Sequence, residues 1–112
     1  MTHLENSDVI LVPIKLDDMK HTDPLYLLPT ERNYANHIQS KKRRFIYVAT
    51  RVLFRKILLS YFGGSVKDIR LSYKRTGRPI LLNRQIPLEF SWAHTDSDVI
   101  FSFSKSMRLG VD

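Results

Sequence analysis

The sequence predicts an α+β fold in which one edge strand and two helices pack on an antiparallel sheet. An apolar run at residues 9–16 is followed by helical periodicity over residues 27–62, and from residue 68 onward short alternating polar and apolar runs are separated by turns. One strand, then helices, then several strands is typical of α+β domains rather than of repeated βα units. At 112 residues, the chain is expected to form a single domain over residues 1–112.

The first two elements follow from local residue chemistry. A strand is predicted at Val9–Leu16 because the run is apolar and rich in β-branched residues. Pro13 cannot donate a hydrogen bond to a neighbouring strand, so this strand is expected at the edge of the sheet. A first helix is expected to begin near Leu28-Pro29 and to run to about Gln39, since proline suits the first turn of a helix.

A long second helix is predicted at Lys41–Phe62, where no glycine or proline interrupts the chain before Gly63-Gly64. Apolar residues cover most of its circumference, which predicts a helix largely buried against a sheet. At 100° per residue, Arg44, Arg51 and Arg55 are expected to form one line roughly 16 Å long. This arginine stripe is either the face left in solvent or a surface that binds phosphate or carboxylate groups.

The remainder of the chain is predicted to form antiparallel strands joined by short turns. The alternation of polar and apolar residues, bounded by turn-forming residues, carries this prediction. The predicted strands are at residues 68–73, 88–94, 99–103 and 107–112, and residues 80–82 are a short apolar run between two turns.

Charge is unevenly distributed along the chain, whose formal net charge is +7. Residues 41–84 contain thirteen basic side chains and one acidic one, a net charge of +12, whereas both flanking segments are mildly acidic. A block of this kind indicates an anionic partner, such as a nucleic acid, an acidic protein or a small polyphosphate, or else a solvated basic face.

Composition excludes several kinds of site and location. The chain has no cysteine, which excludes disulfides, thiolate zinc sites and a cysteine nucleophile. Residues 1–8 do not resemble a signal peptide, and no apolar run approaches the ~20 residues that span a bilayer. We therefore expect a soluble, unprocessed protein with no membrane partner, and a cytoplasmic location is compatible with the absence of cysteine.

Three features near the end of the chain are candidates for a functional site. His94 ends an apolar strand beside Thr95 and Asp96, Arg78 lies in a Gly-Arg-Pro turn, and Asp112 follows Gly110-Val111. A lone histidine is more often a structural hydrogen-bonding group than a catalytic one. Asp112 could ligate magnesium. This ion needs only one or two protein carboxylates, and water and substrate phosphates complete its coordination shell.

Taken together and in order, five short motifs resemble a known family. They are Leu28-Pro29-Thr30-Glu31-Arg32 at a helix start, Arg51-Val52-Leu53-Phe54-Arg55 in the long helix, Gly77-Arg78-Pro79 in a turn, Phe90-Ser91-Trp92-Ala93-His94-Thr95 at a strand end, and Gly110-Val111-Asp112. This series is similar to the N-terminal half of a 4′-phosphopantetheinyl transferase of the Sfp type, and it covers most of the chain from Leu27 onward. The small trimeric carrier-protein synthases are not expected to match, because their aspartate motif lies near the N-terminus.

The resemblance implies an enzyme that uses coenzyme A and Mg²⁺. Such an enzyme moves the phosphopantetheine arm onto a serine of an acyl or peptidyl carrier protein and releases adenosine 3′,5′-bisphosphate. By the same resemblance, Arg78 and His94 would contact the phosphates or the adenosine end of coenzyme A, and Asp112 would ligate magnesium. Arg51 is the arginine of the long helix expected to join them.

The sequence departs from the family pattern in two ways. Ser91 and Ala93 occupy the positions where the family has asparagine and serine, which removes one hydroxyl near the nucleotide. Family members also continue beyond Gly-Val-Asp into a second half that supplies another acidic ligand and a Trp-x-x-Lys-Glu helix. We therefore expect this chain to be one half of such an enzyme, with its partner half missing and little activity by itself.

Two alternatives belong to other functional classes. A small basic module could bind nucleic acid through residues 41–56 and 74–78, with an affinity that falls steeply with salt. The apolar character of the long helix argues against this, because such a helix does not suit a nucleic-acid groove. The other alternative is a non-catalytic domain that binds an acidic carrier protein.

Overall fold

The computed structural model describes residues 9–17, 20–75, 79–82 and 88–105, and their fold is α+β. Two helices pack on antiparallel strands, as the sequence predicts. The elements in chain order are β1 (Val9–Lys15), a 3₁₀ turn (Pro24–Tyr26), α1 (Pro29–Asn36), α2 (Lys41–Phe62), a second 3₁₀ turn (Val66–Asp68), β2 (Leu71–Tyr73), β3 (Pro79–Leu81), β4 (Leu88–His94) and β5 (Asp98–Lys105).

The long helix α2 has the predicted bounds because both of its ends carry specific stop signals. The Ser40 hydroxyl oxygen accepts a hydrogen bond from the backbone N–H of Arg43 at 3.2 Å and so caps the first turn. Gly63 has a φ of 73°, a left-handed conformation that favours glycine, and its N–H donates to the carbonyl of Leu59. No helix in the described ranges is long and apolar enough to cross a membrane.

The strands form two antiparallel sheets. The larger has the order β1-β5-β4, which places β1 at an edge as Pro13 predicts. The smaller pairs β2 with β3. β2 begins later than predicted because the Asp68 carboxylate accepts hydrogen bonds from the N–H and hydroxyl of Ser65, which closes residues 66–68 into a 3₁₀ turn. The predicted strand at 107–112 lies outside the described residues.

The core lies between α2 and the inner faces of both sheets, and it is unusually aromatic. Phe54 on α2 is fully buried and contacts rings from β4 and β5, with ring centroids between 4.5 and 6.4 Å apart. Such pairs contribute stability beyond the area that they bury. The buried residues of this core are Leu53, Phe54, Leu58, Ile69, Leu88, Phe90, Val99, Phe101 and Phe103.

The prediction that Arg55 belongs to an arginine stripe open to solvent or ligand is wrong. Arg55 has 0% exposure and forms a buried ion pair with Glu31 of α1. Its Nη1 and Nη2 donate to the two carboxylate oxygens of Glu31 at 2.6 and 2.9 Å. It also donates to the carbonyl oxygens of Ile69 and Tyr26. Arg55 therefore joins α1, α2 and both adjoining loops, and it is not available to a ligand.

Candidate functional site: a cationic groove

A groove of about 340 Å³ opens between α1, the first half of α2 and the end of β4. Its lining combines aromatic rings with cationic side chains. β4 contributes Trp92 and His94, because residues two apart on a strand face the same way. The described residues that line the groove are Tyr34, Ile38, Arg43, Ile46, Tyr47, Thr50, Arg51, Trp92 and His94.

Arg51 is held in this groove by aromatic rings and hydroxyl groups. Its guanidinium carbon lies 3.9 Å from the ring centroid of Tyr47, 5.3 Å from that of Trp92 and 5.4 Å from that of Tyr73. Nε and Nη2 donate to the Tyr73 hydroxyl at 3.0 and 2.8 Å, and Nη1 donates to the Thr50 hydroxyl at 2.9 Å. These contacts fix the plane and the direction of the guanidinium group.

All of these partners of Arg51 are electrically neutral, which distinguishes it from Arg55. Within the described ranges, no carboxylate lies within ion-pair distance of Arg51. A half-buried guanidinium without a counter-ion retains its full attraction for an anion, because the surrounding rings exclude part of the water that would screen it. Arg51 is therefore an oriented cation that can pair with an anion.

Tyr47, four residues before Arg51 on the same face of α2, provides a neutral surface for this arginine. Burial raises the pKa of its hydroxyl to about 12, although the charge of Arg51 acts in the opposite direction. The hydroxyl therefore stays protonated at physiological pH, and the ring stacks on Arg51 without adding a negative charge that would compete with an incoming anion.

Further cations gather at the N-terminal end of α2. Lys41, Lys42 and Arg43 lie in the first turn, which contains no acidic residue. Lys42 forms an exposed ion pair with Asp96 at 2.6 Å, and Arg43 lines the groove. Arg44 is directed elsewhere, since its Nε and Nη2 donate to the carbonyl of Ile38 and hold the α1–α2 loop. The positive end of the helix dipole thus coincides with positive side chains, which destabilises the helix and attracts anions.

We expect Lys41→Glu to stabilise the protein and to weaken its binding of anions. The substitution places a negative charge at the positive end of the helix dipole, an effect of about 0.5–1 kcal/mol, or a rise of roughly 2–6 °C in Tm. Thermal unfolding measured at low and high salt tests the first effect, which salt should reduce. An unchanged Tm at low salt would show that the charge of this turn does not destabilise the helix.

The structure places two of the four predicted site residues, Arg51 and His94, in the same groove. His94 is exposed at the end of β4, where it pairs with Val99 of β5. Arg78 and Asp112 lie outside the described residues. No group of three or more His, Asp or Glu side chains that could hold a metal ion occurs in the described part of the chain, and the magnesium site therefore stays a prediction.

The sequence analysis does not predict the aromatic residues that line the groove. Tyr34 and Tyr47 form a tilted ring pair with centroids 5.0 Å apart, and Trp92 joins the groove to the aromatic core. The four-residue spacing of Tyr47 and Arg51 on one helix face could have identified that pair. Tyr34 and Tyr73 come from distant parts of the chain, and no local pattern reports their approach.

A known crystal structure shares the fold of this chain. The chain is similar to a holo-(acyl-carrier-protein) synthase from Bacillus anthracis str. Ames, crystallised in complex with CoA (3′,5′-ADP), with a TM-score of 0.64 and 20% sequence identity. The likeness covers 88% of this chain and 95% of that chain. No family model matches the sequence, and no curated protein matches it significantly.

This likeness concerns the fold and does not single out the Sfp type, since the matched protein is a holo-(acyl-carrier-protein) synthase. The assignment to the Sfp type therefore stays a prediction that rests on the five motifs. The prediction of a missing second half is likewise untested. The match covers 95% of the synthase chain, so this comparison contains no second half against which the prediction could be checked.

Proposed function

We propose that the groove binds coenzyme A and that the chain acts in 4′-phosphopantetheinyl transfer to a carrier protein. The observation that carries this proposal is Arg51, a half-buried cation held by aromatic rings and hydroxyl groups with no carboxylate partner among the described residues. The ordered motifs of the sequence and the likeness to a synthase crystallised with CoA support the choice of ligand.

The chemistry of coenzyme A fits the groove in two respects. Its phosphates require cations, which Arg51 and Arg43 supply, and arginine binds phosphate oxygens through two parallel N–H groups. Its adenine ring requires a flat apolar surface, which Trp92 and Tyr34 can offer by stacking. His94, an exposed residue of the groove lining, would donate a hydrogen bond to a phosphate or ribose oxygen.

The proposed reaction is a displacement at phosphorus. The serine oxygen of the carrier forms a bond to the phosphorus that bears the pantetheine arm, the P–O bond within the pyrophosphate breaks, and adenosine 3′,5′-bisphosphate leaves while the serine hydroxyl loses its proton. Arg51 and Arg43 would stabilise the negative charge of the leaving group. Mg²⁺, for which Asp112 is the proposed ligand, would neutralise charge on the pyrophosphate when bound.

The groove supports binding more fully than it supports the chemical step. None of the described residues that line it is a carboxylate, so the general base for the serine proton would be His94 or a group from elsewhere. We therefore propose that transfer needs groups from beyond the described residues, supplied by a second half of the enzyme, as the motifs imply. Arg78 is proposed to add a further phosphate contact.

A titration with coenzyme A tests the proposal, using Trp92 as the reporter because it is the one tryptophan of the chain. We expect saturable quenching of its fluorescence by coenzyme A and by adenosine 3′,5′-bisphosphate, and weaker quenching by adenosine, which lacks the phosphates. His94→Ala is expected to weaken coenzyme A binding about 3- to 10-fold, the effect of one hydrogen bond of about 1 kcal/mol at an exposed position.

A short single-stranded oligonucleotide serves as a competitor of coenzyme A. It distinguishes the proposed function from the main alternative, a nucleic-acid-binding module. Binding of the oligonucleotide in preference to coenzyme A, with an affinity that falls steeply as salt is added, would favour a nucleic-acid-binding module. Absence of saturable quenching by both coenzyme A and the bisphosphate, in a sample with a cooperative thermal transition, would overturn the proposal.

A further inference from the structure

An ion pair joins the two walls of the groove at one end. The ammonium nitrogen of Lys42, in the first turn of α2, lies 2.6 Å from a carboxylate oxygen of Asp96, in the turn between β4 and β5. Lys42 directly precedes Arg43 on α2, and Asp96 follows His94 by two residues. Since Arg43 and His94 both line the groove, the ion pair lies at its edge.

The carboxylate side of this pair is held in place by the backbone of its turn. The Thr95 hydroxyl oxygen accepts hydrogen bonds from the N–H groups of Ser97 and Asp98 at 3.3 and 3.1 Å. The Thr95 N–H donates to the Asp98 carbonyl at 2.9 Å, and the Ser97 carbonyl accepts the N–H of Leu16. Asp96 is therefore presented from a turn fixed by hydrogen bonds, whereas its lysine partner reaches it through a flexible four-carbon chain.

The exposure of the Lys42–Asp96 pair makes it easy to exchange. Its side chains are 60% and 72% exposed, and ion pairs at such positions contribute little, because water and salt screen the attraction. The buried pair of Arg55 and Glu31 has the same separation of 2.6 Å, but its side chains are only 0% and 9% exposed. Breaking that pair would strand a buried charge, whereas Lys42 can leave Asp96 for another anion at a small cost.

An anion bound in the groove is the alternative partner of Lys42. The lining contains Arg43, Arg51 and His94 and, among the described residues, no carboxylate. A phosphate group with two negative charges attracts an ammonium group more strongly than the single charge of a carboxylate does. The exchange therefore favours ligands with several phosphate charges, and a ligand with one carboxylate would gain nothing by it.

We propose that Lys42 is a further ligand-binding residue of the groove and that Asp96 competes with the ligand for it. The inference rests on the proposed function for the identity of the ligand as coenzyme A. Without ligand, Lys42 pairs with Asp96, and its ammonium group turns to the phosphates when they enter. Asp96 is thus a specificity-determining residue, because a ligand must bring more negative charge than one carboxylate to release the lysine.

Calorimetric titration of the full chain with inorganic pyrophosphate and with coenzyme A, at one low salt concentration, tests this competition. Asp96→Asn keeps the shape of the side chain and removes its charge, so it is expected to raise both affinities about two- to fivefold, the effect of one exposed ion pair. Lys42→Gln is expected to lower them by a similar factor. Lys42→Gln/Asp96→Asn is expected to bind as Lys42→Gln does, because the carboxylate then has no lysine to withhold.

Asp17→Asn is the matched control, since it makes the same change of charge in another exposed ion pair. Asp17 lies 3.5 Å from Lys20, their side chains are 58% and 72% exposed, and neither residue lines the groove. This variant is expected to leave both affinities unchanged. Every variant is expected to keep a cooperative thermal transition near that of the unchanged protein, because exposed ion pairs contribute little to stability.

The outcomes separate this competition from the proposed function. If coenzyme A binds and Asp96→Asn does not raise its affinity, the competition is overturned while coenzyme A binding stands. A gain that persists in the double variant, or an equal gain in Asp17→Asn, would mean that only net charge matters and would also overturn the competition. If pyrophosphate shows the expected pattern and coenzyme A does not bind, the proposed function fails and the competition stands. Absence of binding by both ligands would overturn both.

Discussion

Glu31→Ala is expected to lower the free energy of unfolding by about 3–5 kcal/mol, because it leaves the buried guanidinium of Arg55 without its counter-ion. The loss is a large share of the ~5–15 kcal/mol that stabilises a typical domain. It includes the cap of α1, since the Glu31 carboxylate also accepts the N–H of Leu28 at 2.9 Å. Urea denaturation followed by circular dichroism measures the change.

Two further variants separate the charge from the side chain that carries it. The double variant Glu31→Leu/Arg55→Met removes both charges and keeps most of the buried volume, so it is expected to recover much of the lost stability. Asp17→Ala removes an exposed ion pair with Lys20 and is expected to cost less than about 1 kcal/mol. A loss below about 1 kcal/mol for Glu31→Ala would mean that the buried pair does not hold α1 onto α2.

Arg51→Gln is expected to weaken coenzyme A binding about 10- to 100-fold, since hydrogen bonds to charged groups contribute roughly 1.5–3 kcal/mol each. Arg51→Lys keeps the charge and loses both the planar stack on Tyr47 and the paired N–H groups. Its affinity for coenzyme A is therefore expected to lie between that of the unchanged protein and that of Arg51→Gln. Because Trp92 lies against Arg51, calorimetry is the measurement for these variants.

The control for Arg51 lies on the same helix. Lys56 has its ammonium group 5.1 Å from the ring centroid of Tyr26, outside the groove, and Lys56→Gln is expected to leave the affinity unchanged. Tyr73→Phe removes the hydroxyl that orients Arg51 and is expected to produce a smaller loss, about threefold. Coenzyme A affinity that Arg51→Gln leaves intact would remove the groove as its binding site.

The sequence predicts the long helix to the residue and misjudges the surroundings of its arginines. Ser40 and Gly63 are local signals, so the bounds of α2 follow from the chain itself. The helical period fixes the direction of Arg55 but not the element that packs there, and Glu31 lies 24 residues earlier in the chain. Two arginines on one helix therefore differ: Arg55 is buried in an ion pair, and Arg51 has no carboxylate partner among the described residues.

The groove also shows that local sequence patterns do not predict tertiary contacts. The family-like motifs predict Arg51 and His94 as site residues, and both line the same groove in the structure. The aromatic enclosure of Arg51 depends on Tyr73, whose strand pairs with β3 and whose hydroxyl accepts a hydrogen bond from Arg51. Such an enclosure arises from tertiary packing, and neither composition nor periodicity contains it.

The buried pair of Glu31 and Arg55 also stabilises the groove, because it holds α1, which forms one wall, against α2. An eight-residue helix such as α1 is too short to persist in water by itself and would open and close rapidly. Separating α1 from α2 breaks this buried pair at a cost of several kcal/mol, so α1 opens far less often than an isolated helix of its length would. The groove wall that carries Tyr34 is therefore in place most of the time, and a ligand meets a surface that is already assembled.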